Sequence, residues 1–71
     1  MSVEQQIANL YPELKSWSFR FYNSEDDRND LIQDTILNAL SNLDKFKDGT
    51  NLKGFLYTVM RNIFINNCRK N

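Results

Sequence analysis

Residues 25–43 read EDDRNDLIQDTILNALSNL. Within them Ile32, Ile36, Ala39, Leu40 and Leu43 recur three and four positions apart, the spacing of one face of a helix. Ser24 stands immediately before, a residue type that caps helix starts. Glu25, Asp26 and Asp27 follow, with charges suited to the positive end of the helix dipole. The stretch therefore predicts a helix with a buried apolar stripe and a polar remainder of Asp30, Gln33, Asp34, Asn38 and Ser41. Leu31 and Leu37 fall off the centre of that stripe. They are either exposed apolar residues on an acidic surface or the margins of a wide face buried between two other helices.

Downstream, DKFKDGTN (residues 44–51) reads as the only real loop, with Gly49 among polar residues. Phe46 is its odd member: an aromatic here either plugs back into the core or offers a stacking surface. A further helix is predicted from Leu52 to Arg69, with Leu52, Phe55, Leu56, Val59, Met60 and Ile63 on its buried stripe. At 100° per residue, Thr58, Arg61, Asn62, Ile65 and Arg69 gather on the opposite side, which carries cations and no carboxylate. Arg69 and Lys70 also complement the negative end of a helix dipole, so by themselves they prove nothing.

Upstream, Ile7, Leu10, Tyr11, Leu14, Trp17 and Phe21 repeat with helical spacing over about Val3–Tyr22. Ser2 and Gln5 form a capping-box pair. Pro12 interrupts this segment, which predicts either a kink or a short helix followed by a second one starting at Pro12. Phe19 lies off the main stripe, whereas most of the other aromatic residues should be core. The fold class that follows is all-α: a compact bundle of three helices, or four if the first is broken at Pro12.

Composition narrows the function classes. Seventy-one residues make one small domain, which buries only about 60% of its unfolded surface. Hydrophobic residues make up 41% and charged ones 25%, too apolar for disorder. Two glycines and one proline leave too little turn material for a β-sandwich or barrel, which turns roughly every 8–12 residues. The single Cys68 excludes an internal disulfide framework and fits a reducing compartment. No apolar run approaches the ~18–20 residues of a membrane span, and Met1–Leu10 lacks the apolar segment of a signal peptide. A soluble, cytoplasmic domain without membrane insertion is expected.

Nine Lys+Arg balance nine Asp+Glu, and that zero hides a division. Residues 1–44 contain Lys15, Arg20 and Arg28 against Glu4, Glu13, Glu25, Asp26, Asp27, Asp30, Asp34 and Asp44, a net of −5. Residues 45–71 contain Lys45, Lys47, Lys53, Arg61, Arg69 and Lys70 against Asp48, a net of +5. Such polarity points to two partners, one basic and one anionic. The bland alternative is chance combined with attraction between the chain's own helices.

Little in the chain supports catalysis. There is no histidine, so no Ser/His, Cys/His or His-ligated metal site is available. Cys68 has no base nearby in sequence, and no glycine loop is present to cradle phosphate. The acidic run 25–27 lacks the alternating ligand spacing and central glycine of a calcium loop. No catalytic residue, metal ligand or cofactor is expected. Binding is better supported. Lys45, Phe46, Lys47, Lys53 and Arg61 combine with Thr50, Asn51 and Asn62, and cations, an aromatic and amides suit phosphates, unpaired bases and base edges respectively.

Two stretches, DRNDLIQDTILNALSNLDKF (27–46) and LKGFLYTVMRNIFINNCRK (52–70), resemble region 2 of bacterial sigma factors. The narrower likeness is to the extracytoplasmic-function (ECF) group of the sigma-70 family. The motifs that carry it are Asp30-Leu31-Ile32-Gln33-Asp34 on one helix and Phe55-Leu56-Tyr57-Thr58-Val59-Met60-Arg61-Asn62 on the next, with Phe46-Lys47 between them. The resemblance implies a transcription initiation factor module, not an enzyme. Asp30, Leu31, Gln33, Asp34 and Asn38 would dock on a clamp coiled coil of the largest subunit of core RNA polymerase. The loop and last helix would recognise and melt the −10 promoter element. Phe46, Lys47, Thr50 and Asn51 would line a pocket for an everted base of the non-template strand. Asn62 would meet DNA where the strands part, while Arg61, Asn66 and Arg69 grip backbone beside it, and Lys53 adds a cation.

The resemblance also implies an anti-sigma factor as a regulatory partner. It implies a second DNA-binding domain for the −35 element as well, which these residues do not contain, so the chain reads as one domain of a longer protein. Two departures stand out: Phe55 occupies a position where many relatives carry Trp, and Asn66-Asn67 with Arg69-Lys70 replace an acid and an Arg-Arg pair. A reading from a different class remains open here, a small helical protein-interaction adaptor that uses the acidic helix and no DNA.

Overall fold

The computed structural model describes residues 2–46 and 51–69, with Lys45 described in its backbone only. Among these residues the elements are α1 (Val3–Asn9), α2 (Tyr11–Ser18), α3 (Glu25–Ser41), a 3-10 turn (Leu43–Lys45) and α4 (Leu52–Arg69).

The break in the first segment falls at Leu10, and Pro12 sits inside the first turn of α2. A continuous helix would press the proline ring against the Ala8 carbonyl four residues back. In the first turn, by contrast, the missing N–H has no intrahelical partner to lose. Leu10 serves both helices: its N–H reaches the Gln6 and Ile7 carbonyls at 3.2 and 3.0 Å, and its carbonyl accepts from Leu14 N–H at 3.0 Å. Ser2 caps α1 through its hydroxyl, which accepts from Gln5 N–H at 3.1 Å. The Gln5 side chain reaches forward to Asn9 Oδ1 at 3.4 Å.

The helical spacing seen in the sequence as far as Tyr22 outlasts the helix itself. α2 ends at Ser18, and tight bonds from Arg20 to Trp17 and from Phe21 to Ser18, 3.0 and 3.1 Å, fold the chain into a corner. Phe21 and Tyr22 reach α4 from that corner, Phe21 against Tyr57 and Phe64 and Tyr22 against Phe64. α3 starts at Ser24, as expected, but the serine hydroxyl makes no capping bond; the acidic first turn is what suits the dipole there. It stops at Ser41, two residues short of the predicted end. Asn42 leaves the helical region, and its amide donates to the Asn38 carbonyl at 2.8 Å. α4 has the predicted bounds.

Ile7, Leu14, Leu31, Ile32, Ala39, Leu52, Leu56 and Met60 form the buried core. Ser18 and Thr35 are buried with them, and each hydroxyl donates back to a carbonyl of its own helix: Lys15 at 2.6 Å and Leu31 at 2.7 Å. No buried side-chain polar atom among the described residues lacks a partner. Two positions on α3 correct the sequence expectation. Leu31 is 2% exposed, so it is core, whereas Leu40, placed on the stripe, is 37% exposed. α3 packs against both α2 and α4, which turns its buried face towards the Leu31–Thr35–Ala39 ridge and away from Leu40.

Candidate functional site

The outward side of α4 is built as the spacing predicts. Thr58, Arg61, Asn62, Asn66 and Arg69 are exposed and Ile65 is half-buried. An aromatic chain along one flank fixes the aim of this face, with Tyr57 four residues before Arg61 and Phe64 three after it. Trp17 of α2 meets Tyr57 edge-on at 5.3 Å, Phe21 lies 4.9 Å from Phe64, and Tyr22 meets Phe64 at 5.2 Å. Tyr57 and Phe64 were missing from the predicted stripe. Their signal was two aromatic residues seven apart, a second apolar line beside the first.

At the start of α4, Asn51 and Lys53 are exposed and line a shallow groove with Gln6, Asn9, Leu10 and Leu52. Gln6 and Asn9 were not singled out from sequence; polar residues three apart on a short amphipathic helix were the available sign. The Asn51 carbonyl accepts from Phe55 N–H at 3.0 Å. Its side chain folds over Gly54, where an added Cβ would stand 3.1 Å from Asn51 Nδ2. Gly54 thus leaves room for that amide in a helix that would otherwise favour alanine.

Of the two alternatives for Phe46, packing prevails. The ring is half-buried against the core and 5.4 Å from Phe55. Lys47 and Thr50, also expected at the base pocket, lie outside the described residues, as does Lys70.

The exposed side of α3 bears Asp26, Asp27, Asp30, Gln33, Asp34 and Asn38, with Leu37 57% exposed in their midst. Asp34, Leu37, Asn38 and Ser41 line an open groove that Ile63 of α4 completes. The fifth residue assigned to this surface, Leu31, is not on it: its burial makes it a support beneath the face. The two outward faces therefore sit on helices packed against one another, one carrying carboxylates around a leucine and the other cations and amides. Among the described residues no cluster of three or more His, Cys, Asp or Glu is placed to hold a metal ion, and no helix is long and apolar enough to cross a membrane.

The chain is 36% identical over 97% of its length to an ECF RNA polymerase sigma factor, EcfG, of Rhodopseudomonas palustris, and spans 38% of that protein. It is 32% identical over 92% of its length to the RNA polymerase sigma factor YlaC of Bacillus subtilis, again spanning 38%. It thus spans less than half the length of these curated relatives. Among solved structures it is similar to the sigma factor RpoE of Bartonella quintana, crystallised with the anti-sigma factor NepR. The TM-score is 0.85 at 35% identity, over 93% of this chain and 41% of that one. The described helices thus have the sigma region 2 arrangement, and the family profile described as Sigma-70 region 2 matches residues 7–71. On that match and this likeness of fold, the chain belongs to the sigma-70 region 2 family.

Proposed function

We propose that this domain is a promoter-recognition module of the ECF type, which docks on core RNA polymerase through α3 and engages the −10 element through the loop and α4. The observation that carries the reading is the pair of outward faces on adjacent helices: Asp30, Asp34 and Leu37 on one, Arg61, Asn62 and Arg69 on the other. A carboxylate face with an exposed leucine suits a basic, partly apolar protein surface. Cations and amides suit a DNA backbone and the edges of unpaired bases.

The division also fits the energetics of opening DNA. Flipping a base costs a few kcal/mol in lost stacking, and stacking on protein returns ~1–3 kcal/mol per base. A small module nearly breaks even by itself and gains from a large partner that holds it in place. Such a module supplies binding and no covalent chemistry, and works in the cytoplasm beside the polymerase. An anti-sigma partner holds it in reserve, a pairing that RpoE and NepR of Bartonella quintana make with each other.

The test is capture of the purified domain by the clamp coiled-coil fragment of the polymerase. Wild type and Asn62→Ala should bind equally, and Asp34→Arg should lose capture while its helical circular dichroism is unchanged. With a single-stranded −10 probe the order should reverse, Asn62→Ala losing affinity. Failure of folded wild type to bind the fragment would favour the adaptor reading.

A further inference from the structure

Each outward face is the counterpart of the other. On α3, Asp26, Asp30 and Asp34 are four apart and form one exposed row, with Leu37 beside it. On α4, Arg61, Ile65 and Arg69 are four apart and form another, cationic at both ends and apolar in the middle. Eight residues of helix rise about 12 Å, so the outer aspartates and the two arginines are separated by the same length along their axes. Both faces combine charge with an exposed or half-buried apolar residue, Leu37 beyond the end of the acidic row and Ile65 between the two arginines. Net charge is zero across the sequence, so no overall repulsion keeps copies apart.

We propose that the domain docks on a second copy of itself, the acidic face of α3 in one copy meeting the cationic face of α4 in the other. The contact is weak and screened by salt, because its charges are exposed. Each such contact covers the face assigned above to polymerase on one copy and the face assigned to promoter on the other, so each docked copy loses one of its two faces. Only that consequence rests on the promoter reading; the contact itself involves no DNA and no polymerase.

The experiment is sedimentation of the 71-residue chain as a function of concentration and salt. At about 25 mM salt the mass of wild type should climb above the 8.4 kDa monomer, with the apparent Kd weakening roughly tenfold by about 250 mM. Asp30→Lys/Asp34→Lys, which carries cations on both faces, should remain monomeric. Arg61→Glu/Arg69→Glu, which carries carboxylates on both, should do the same. An equimolar mixture of the two should associate, because each now supplies the face the other lacks. Wild type that stays monomeric to about 1 mM at about 25 mM salt overturns the proposal. So does association that ignores salt, or a mixture that stays monomeric while both variants retain wild-type circular dichroism. None of these results bears on the capture experiment, so the two readings fail separately.

Discussion

Leu31 and Leu37 are the same residue on the same helix with opposite fates: one is 2% exposed and the other 57%. Truncating Leu31 removes core volume in a domain with little to spare, and Leu31→Ala should cost about 2–4 kcal/mol in denaturant unfolding. Leu37→Ala should change stability by less than ~0.5 kcal/mol and instead weaken capture by the clamp fragment. Equal destabilisation by both would mean that Leu37 is not a docking residue. Gly54 carries the reverse trade. Gly54→Ala should raise thermal stability by up to about 1 kcal/mol through helix propensity. The Asn51 amide, 3.1 Å from the new methyl position, must then move, and single-strand affinity should fall. Unchanged affinity would remove Asn51 from the nucleic-acid surface. Residue types and helical spacing named most of the exposed polar candidates, because a polar side chain on a regular helix has few places to go. They did not separate Leu31 from Leu37 or Leu40, since that depends on how far α3 is rotated between two neighbours.

At the scale of elements, the bounds of α4 were legible, because its apolar stripe is long and follows a polar loop, whereas its second apolar line of Tyr57 and Phe64 was not. Nor was the α2–α3 corner, because tertiary contacts shape it. Arg28, read from sequence as one cation in an acidic stretch, closes that corner. Its Nη1 donates to the Tyr22 and Asn23 carbonyls, and its guanidinium carbon sits 4.1 Å from the Phe19 ring centroid. Planar stacking combined with a fork of donors is a guanidinium property, so Phe19, the aromatic off the stripe, is accounted for as well. Arg28→Ala should destabilise by about 1–2 kcal/mol, and Arg28→Lys should recover little of it in thermal melts. Full recovery by lysine would reduce the contact to simple charge. The groove at the start of α4 was half legible. Asn51 and Lys53 lie in the basic stretch, whereas Gln6 and Asn9 come from a helix more than forty residues earlier that only the Leu10 break brings alongside.

For the whole molecule, segregation of charge along the chain becomes segregation of charge on two neighbouring helices, and this part of the candidate site was the most legible from sequence. If about four phosphates are neutralised, affinity for a −10 single strand should fall roughly fiftyfold between about 50 and 200 mM salt. A flat response in a filter-binding titration would sink the nucleic-acid reading. The aromatic chain that joins α2 to α4 has an optical consequence. Trp17 is the sole tryptophan in the chain, and its indole lies edge-on to Tyr57 at 5.3 Å. Its excited state is therefore lodged against the helix that carries the cationic face. The emission of the unlabelled protein is an internal gauge of how α4 sits on α2: a strand that displaces the helix alters the colour and lifetime of that glow, and one that binds a rigid surface leaves both as they were.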